Sequence, residues 1–144
     1  MDNEAHVIKA GSTAHGQFET DVSIERAGWE WSSIRVLALP AGGSETVASG
    51  VSELLVLPLS GGCAVEVNGE THVLNGREEV WSAITDYLYI PRETTFTVRS
   101  ESGGRFALPA AKATRDLPVR YCPVTEVVTT LRGAGPCSRQ VNNY

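Results

Sequence analysis

The chain has 144 residues, of which 42% are hydrophobic and 20% charged, and its formal net charge is −5 at pH 7. This length allows one domain with a hydrophobic core, and the composition is that of a soluble globular protein. The negative charge, without any basic run, argues against partners such as nucleic acid or an anionic membrane surface. No apolar stretch approaches the roughly 18 residues of a membrane-spanning helix.

The N-terminus is polar and acidic and lacks the pattern of a secretory signal. Three scattered cysteines without a CxxC pair, Cys63, Cys122 and Cys137, indicate a reducing environment. From these two features we expect a cytoplasmic protein.

The first apolar runs follow a polar segment, residues 1–20, which we expect to form an extended or partly disordered arm. Residues 31–39 predict a strand that ends at a glycine-rich turn, residues 40–44. Residues 53–59 form a near-continuous apolar run, as in a strand buried on both faces. The sequence Ser60-Gly61-Gly62 predicts the end of that strand.

The strongest local signal is a β-hairpin around Asn68-Gly69. Two strand patterns, residues 63–67 and 70–74, flank this dipeptide, which is typical of a two-residue type I′ turn. The resulting register places His72 opposite Val65. Four further strands are predicted over residues 87–90, 94–100, 105–108 and 126–131.

Seven or eight short strands without a convincing helix predict a β-sandwich or barrel. The order of turns, hairpin, aromatic strand and alternating strand is that of a cupin. We therefore predict an all-β, cupin-type double-stranded β-helix, or jelly-roll barrel, over residues 21–131. Residues 132–144 show neither apolar periodicity nor a strand pattern, and we expect them to be a connector toward a second cupin domain that is missing here.

A metal-binding cupin holds its ion inside the barrel with three histidines and one carboxylate. Aligned with that pattern, Glu53 takes the carboxylate position, whereas the imidazole positions fall around Val47 and Ser49 and on Phe96. One carboxylate supplies too few ligands to retain a divalent first-row metal, so we predict no metal site and no catalytic residue in this chain. Glu53 is either a remnant ligand or, as we prefer, the partner of an arginine.

The other candidate side chains have simpler interpretations. His6 and His15 lie in the polar arm, and His72 is interpreted as an ordinary sheet residue because it lacks evident partners. Asp86 could be an acid at the barrel mouth, but we interpret it as a solvated loop carboxylate. The three tryptophans, Trp29, Trp31 and Trp81, could stack on a sugar, but we prefer packing in the core or at an interface. Cys63 is expected to be a small buried hydrophobic residue.

Three stretches, residues 21–44, 53–69 and 117–144, resemble in order and spacing the N-terminal half of the 5-deoxy-glucuronate isomerases. The resemblance rests on the run of AGW, RVL and PAGGS and on the tail RGAG-x-x-SRQVNN. These enzymes form a bicupin family of uronate isomerases in bacterial myo-inositol catabolism. The resemblance implies interconversion of an aldose and a ketose, 5-deoxy-glucuronate to 2-deoxy-5-keto-gluconate, with a divalent metal in the missing C-terminal barrel.

For this half, the resemblance implies a structural role in docking the C-terminal barrel or another subunit. A small sugar acid is the implied substrate, and Arg139 is the candidate for gripping its carboxylate, since arginine binds carboxylates bidentately. Gln140, Asn142 and Asn143 could add hydrogen bonds. The alternative is that these residues only pin the connector between two barrels.

Two other functions remain open. The chain could be a stand-alone, metal-free cupin that binds a sugar acid without converting it. It could also be an oligomerisation module that forms a homo-oligomer through apolar sheet edges, such as those containing Ile34, Val36, Leu54 and Val56.

Overall fold

The computed structural model of the chain describes residues 7–144. Residues 1–6, which include His6 and the start of the predicted arm, lie outside the described part. Within residues 7–144, no helix has the length and hydropathy needed to cross a membrane.

Strands are the main secondary structure of the described chain. Its strands are β1 (Phe18–Val22), β2 (Ser32–Leu39), β3 (Gly43–Ala48), β4 (Ser52–Val67), β5 (Glu70–Arg77), β6 (Tyr87–Ile90), β7 (Thr95–Ser100), β8 (Gly104–Lys112), β9 (Arg120–Cys122), β10 (Val128–Arg132) and β11 (Arg139–Asn143). One short helix, α1 (Ile24–Ala27), and two single 3-10 turns, Val124–Glu126 and Gly135–Cys137, complete the secondary structure.

Two antiparallel sheets share the long strand β4. The first sheet has the order β1-β2-β8-β4-β6-β9, and the second joins β3, β7, β4 and β5. The N-terminal half of β4 pairs with β8 and β6, whereas its last residues, 64–67, pair with β5 and β7. This is the predicted jelly roll, although the strands of the described chain do not close into a complete barrel.

The predicted end of the strand at Ser60-Gly61-Gly62 is wrong. β4 continues through these residues and changes sheet there, with bulges between Pro58 and Ser60 and between Gly61 and Cys63. A bulge bends a strand and raises its twist, so the same glycines that resemble a turn serve here as a bend. The predicted turn over residues 40–44 likewise contains the start of β3, a strand that the sequence analysis missed.

The core lies between the two sheets and is built from alternate residues of their strands. In β4, Leu54, Val56 and Val65 are at most 2% exposed, and in β7 the alternate residues Phe96 and Val98 are buried in the same core. Burial of each such side chain contributes roughly 1.5–3 kcal/mol. The sheet edges proposed from Leu54 and Val56 are therefore wrong, because these residues are core residues.

The strand β2, which carries Ile34 and Val36, is also not an edge. It pairs with β1 on one side and with β8 on the other. Its backbone groups are therefore engaged on both sides, and the prediction of an open edge at Ile34 and Val36 is wrong as well.

The hairpin prediction is confirmed. Asn68 and Gly69 have φ of 52° and 80°, as a type I′ turn requires, and the register pairs His72 with Val65. The strands predicted over residues 31–39 and 87–90 are also present, as β2 and β6.

Near both ends of residues 7–144, the chain contains more regular structure than expected. The predicted arm ends inside β1, which begins at Phe18 and pairs with β2. The expectation that residues 132–144 lack a strand is wrong, because β11 lies there and pairs with β10 in a separate two-stranded sheet. Its role as a connector stays a prediction.

Candidate functional site

The interior of the jelly roll is apolar where the ligands of a cupin metal would converge. Phe96 and Val47, at two of the predicted imidazole positions, are 1% and 3% exposed and belong to the hydrophobic core. Among residues 7–144 there is no group of three or more His, Cys, Asp and Glu side chains that could hold a metal ion. The apolar side chains of this interior do not supply the nitrogen, oxygen or sulfur ligands that a divalent metal requires.

Glu53 does not point into this interior. It alternates with the buried residue Leu54 along β4, so its side chain lies on the outer face of the first sheet. There, the hydroxyl of Tyr89 donates a hydrogen bond to Glu53 Oε2 at 2.7 Å. The preferred arginine partner is therefore wrong, and the alignment of Glu53 with a metal ligand fails because of its orientation.

His72 lies in β5 as predicted, with its side chain 21% exposed. The nearest acidic group is the Glu70 carboxylate, whose Oε2 lies 3.6 Å from Nε2 of His72. Within the described residues, that nitrogen has no hydrogen-bond partner. One histidine beside one glutamate is too small a set for a metal site.

Asp86 is buried, so its interpretation as a solvated loop carboxylate is wrong. It is 1% exposed, and its two carboxylate oxygens accept hydrogen bonds from the backbone N–H groups of Asn75 and Gly76 at 2.8 and 3.0 Å. The Tyr121 hydroxyl donates a third bond to Oδ2 at 2.9 Å. Asp86 thus ties the end of β5 and the short strand β9 to the start of β6.

This carboxylate also affects its neighbours. Burial, followed by the hydrogen bond to Asp86 and its charge, raises the pKa of Tyr121. Burial, with a smaller contribution from the charge of Asp86, raises the pKa of the Cys63 thiol to about 12. Cys63 is 5% exposed, which confirms the prediction of a small buried residue. Such a thiol stays protonated and is a poor nucleophile or metal ligand.

The predicted substrate-binding residues lie on the β10–β11 hairpin, but they do not all converge. The register pairs Arg139 with Arg132 on one face, and the next residue, Gln140, lies on the other face. Gln140 Nε2 donates to Asn142 Oδ1 at 3.0 Å, so these two do lie together. Arg139 is exposed and donates instead to the Cys137 carbonyl at 3.3 Å. Their contact with substrate stays a prediction.

A mostly apolar depression lies on the outer face of the first sheet. It has a volume of about 310 Å³, and a neighbouring depression of about 300 Å³ shares Leu55 and Tyr89 with it. We call the two together the tyrosine groove. Its main lining residues are Glu53, Leu55, Tyr87, Tyr89, Leu117, Pro118, Arg120 and Tyr144.

The last residue of the chain closes one side of this groove. The Tyr144 ring packs edge-on against Tyr87, with centroids 5.9 Å apart, and its hydroxyl accepts a hydrogen bond from Arg77 Nη1 at 3.2 Å. Burial, then the hydrogen bond to Glu53, raises the pKa of Tyr89 to about 12. The sequence analysis missed this surface. Strict alternation in the segment YLYI nevertheless places Tyr87 and Tyr89 on one face of the strand and Leu88 on the other face.

The tryptophans are not part of the core. Trp29, Trp31 and Trp81 are 50%, 57% and 89% exposed, so the interpretation as core residues is wrong. The described structure leaves them available for an interface or a ligand, and these two roles stay predictions.

Comparison with known proteins agrees with the geometry of the fold. Residues 6–144 match the KduI/IolB family. The 5-deoxy-glucuronate isomerase of Geobacillus thermodenitrificans is 28% identical over 124 residues, and the match covers 85% of this chain and 45% of that protein. The isomerase of Halalkalibacterium halodurans is 27% identical over 133 residues, with 85% and 46% covered.

Among solved structures, an IolB-like protein from Salmonella typhimurium superimposes with a TM-score of 0.85 at 28% identity, covering 91% of this chain and 51% of that one. The Ylba protein of Escherichia coli superimposes with a TM-score of 0.60 at 16% identity, which supports the fold alone. The chain spans about half the length of the curated relatives that it matches. The family match covers nearly the whole chain, and the chain belongs to the KduI/IolB family.

Proposed function

We propose that this chain is the N-terminal cupin half of an aldose–ketose isomerase that converts 5-deoxy-glucuronate to 2-deoxy-5-keto-gluconate in myo-inositol catabolism. The observation that carries the proposal is the match of residues 6–144 to the KduI/IolB family, with 5-deoxy-glucuronate isomerases among the relatives. The three cysteines form no disulfide, which supports a reducing, cytoplasmic location.

The chemistry requires a base that moves a proton between adjacent carbons and a cation that stabilises the enediolate oxygens. The apolar interior around Phe96 and Val47 favours neither. In this proposal, the half described here is structural and carries no metal. The divalent metal and the base belong to the C-terminal barrel of the complete enzyme.

The tyrosine groove is the surface against which that second barrel packs. Its lining is mostly aromatic and aliphatic, as expected of an interface that is buried in the complete protein. Tyr144 lies in the groove and adds its aromatic ring to this surface. Arg120 and Glu53 provide polar groups at the border of the apolar surface.

The proposal is tested by joining this chain to the C-terminal half of the Geobacillus thermodenitrificans isomerase. Metal content and turnover of 5-deoxy-glucuronate are measured for the joined protein, for this chain alone and for the C-terminal half alone. We expect metal and turnover in the joined protein and neither in this chain. Turnover by this chain alone would refute the proposal, and full activity of the C-terminal half alone would refute the docking role.

A homo-oligomerisation module is the second candidate, favoured by the same exposed groove. In that case, the chain self-associates in sedimentation experiments, and Leu55→Arg abolishes the association. A strictly monomeric chain at high concentration counts against it. A stand-alone cupin that binds a sugar acid stays a prediction.

A further inference from the structure

The same dipeptide occurs at both ends of strand β5. Asn68-Gly69 forms the turn that precedes the strand, and Asn75-Gly76 lies near its end. Both asparagines are exposed, and the two glycines have positive φ, 80° and 68°. The two pairs are therefore alike in sequence and in the exposure of the asparagine. They differ in what surrounds the N–H group of the glycine.

An Asn-Gly pair places an electrophile beside a nucleophile. The backbone nitrogen of the glycine attacks the side-chain carbon Cγ of the asparagine, the new N–Cγ bond closes a cyclic imide, and the Cγ–Nδ2 bond breaks. The proton of the glycine N–H leaves with Nδ2 as ammonia. Water then opens the imide at either carbonyl, which gives aspartate or isoaspartate. Glycine favours this reaction because it has no Cβ that would hinder ring closure.

At Asn68-Gly69, both reacting groups are unengaged. Within residues 7–144, the N–H of Gly69 donates no hydrogen bond, and the side chain of Asn68 has no hydrogen-bond partner. The pairing of Val67 with Glu70 closes the hairpin, so the two turn residues lie beyond the last paired residues of β4 and β5. The backbone is also unpacked here, because a Cβ placed on Gly69 would meet no other part of the chain within 4 Å.

At Asn75-Gly76, the corresponding backbone groups are held by Asp86. Its Oδ1 accepts a hydrogen bond from the N–H of Gly76 at 3.0 Å, and its Oδ2 accepts one from the N–H of Asn75 at 2.8 Å. The glycine nitrogen becomes nucleophilic as it loses its proton, and the buried carboxylate disfavours a second negative charge beside it. The backbone is packed as well, because a Cβ on Gly76 would overlap the Gly61 carbonyl.

We propose that Asn68 is a site of spontaneous modification, at which the side-chain amide is converted to aspartate and isoaspartate while Asn75 is protected by Asp86. The products add a negative charge beside Glu66 and Glu70, which line the same depression as Asn68, and like charges repel one another. Isoaspartate also adds a methylene to the backbone of the two-residue turn that sets the register of β4 with β5. The hairpin therefore loses stability as the protein ages. The modification is independent of isomerase activity.

The test is incubation of the purified 144-residue chain at mildly alkaline pH, followed by peptide mass spectrometry. A protease that cleaves after glutamate separates the two sites, because Glu66, Glu70 and Glu78 place Asn68 and Asn75 in different peptides. A short digestion at mildly acidic pH prevents further conversion. We expect Asn68 to convert about 10-fold to 100-fold faster than Asn75, because the Gly76 N–H must first break its bond to a charged acceptor. Equal rates, or no conversion of Asn68, would overturn the proposal.

The same incubation in urea separates the effect of the fold from that of the sequence. Unfolding releases the N–H of Gly76 from Asp86, so the rates of the two sites should become similar. Asp86→Asn is expected to accelerate conversion of Asn75 in the folded protein by about 10-fold. If this variant does not fold, the urea experiment supplies the comparison. A difference between the sites that persists in urea, or an unchanged rate at Asn75 in a folded Asp86→Asn variant, would overturn the protective role of Asp86.

Asn68→Gly is the matched control for the effect on stability. It removes the reacting amide, and a Gly-Gly pair still supports a type I′ turn. During incubation, the midpoint of urea unfolding should fall in the wild type in step with conversion of Asn68 and stay constant in Asn68→Gly. An equal decline in both proteins would overturn the effect assigned to the hairpin.

Discussion

Replacement of the buried Asp86 is expected to be among the most damaging single changes in this fold. In Asp86→Ala, the N–H groups of Asn75 and Gly76 and the hydroxyl of Tyr121 lose their shared acceptor. Each unsatisfied buried donor costs roughly 1–3 kcal/mol, and the two backbone contacts are only partly buried, so we expect a total loss of about 3–5 kcal/mol. Domains of this kind have a free energy of unfolding of roughly 5–15 kcal/mol, so the variant would be near the limit of stability.

The assay is urea unfolding followed by far-ultraviolet circular dichroism. Tyr121→Phe removes one donor and leaves the carboxylate bonded to the N–H groups of Asn75 and Gly76 and, at 3.3 Å, to the Thr85 hydroxyl, so we expect it to cost about 1 kcal/mol. Asp116→Ala is the matched control, because Asp116 is 83% exposed, and it should change the free energy of unfolding by less than about 0.5 kcal/mol. If Asp86→Ala costs no more than Asp116→Ala, the hydrogen-bonding role assigned to Asp86 is incorrect.

Three further predictions concern backbone space, thiol reactivity and pH. Gly76→Ala should destabilise the chain much more than Gly69→Ala in the same urea assay, because both have positive φ, but a Cβ at Gly76 would overlap the Gly61 carbonyl; equal losses would contradict this. In the native protein, one thiol should react rapidly with Ellman's reagent, and Cys137→Ser should remove that phase, because the other two cysteines are buried; rapid reaction of a second thiol would refute this assignment. The pKa of Tyr89 is raised from 10.0 to about 12, so its stabilising contribution is present below pH 10 and lost as the pH rises toward 12; stability measured over this interval should fall less steeply in Tyr89→Phe, and equal slopes would count against the argument.

The sequence predicts best what depends on neighbouring residues. Asn68-Gly69 requires no distant information, because its backbone preference selects the turn and the turn sets the register that places His72 opposite Val65. The glycines at residues 61 and 62, in contrast, could not be assigned from their neighbours alone. Their local sequence favours a turn, but β4 pairs with strands of both sheets, and the two glycines form a bend within it.

The candidate site was harder to predict because it depends on contacts between distant segments. The donors to Asp86 come from β5 and β9, and no local pattern around this residue reveals them. Alternation within β11 already separates Arg139 from Gln140, but the sequence of that segment gave no sign that it forms a strand. The family resemblance, in contrast, depends on short runs such as PAGGS and SRQVNN and required no knowledge of the fold.

The position of β8 has a consequence for how the chain is made. β8 lies between β2 and β4 and is the strand that joins them in the first sheet. During synthesis on a ribosome, that sheet cannot assemble until the residues up to Lys112 have emerged, and until then the backbone edges of β2 and β4 lack their common partner. Such long-range pairing slows folding and leaves strand surfaces open to aggregation. Truncated chains that end before β8 should therefore aggregate far more than chains that end after it, above all when chaperones are scarce.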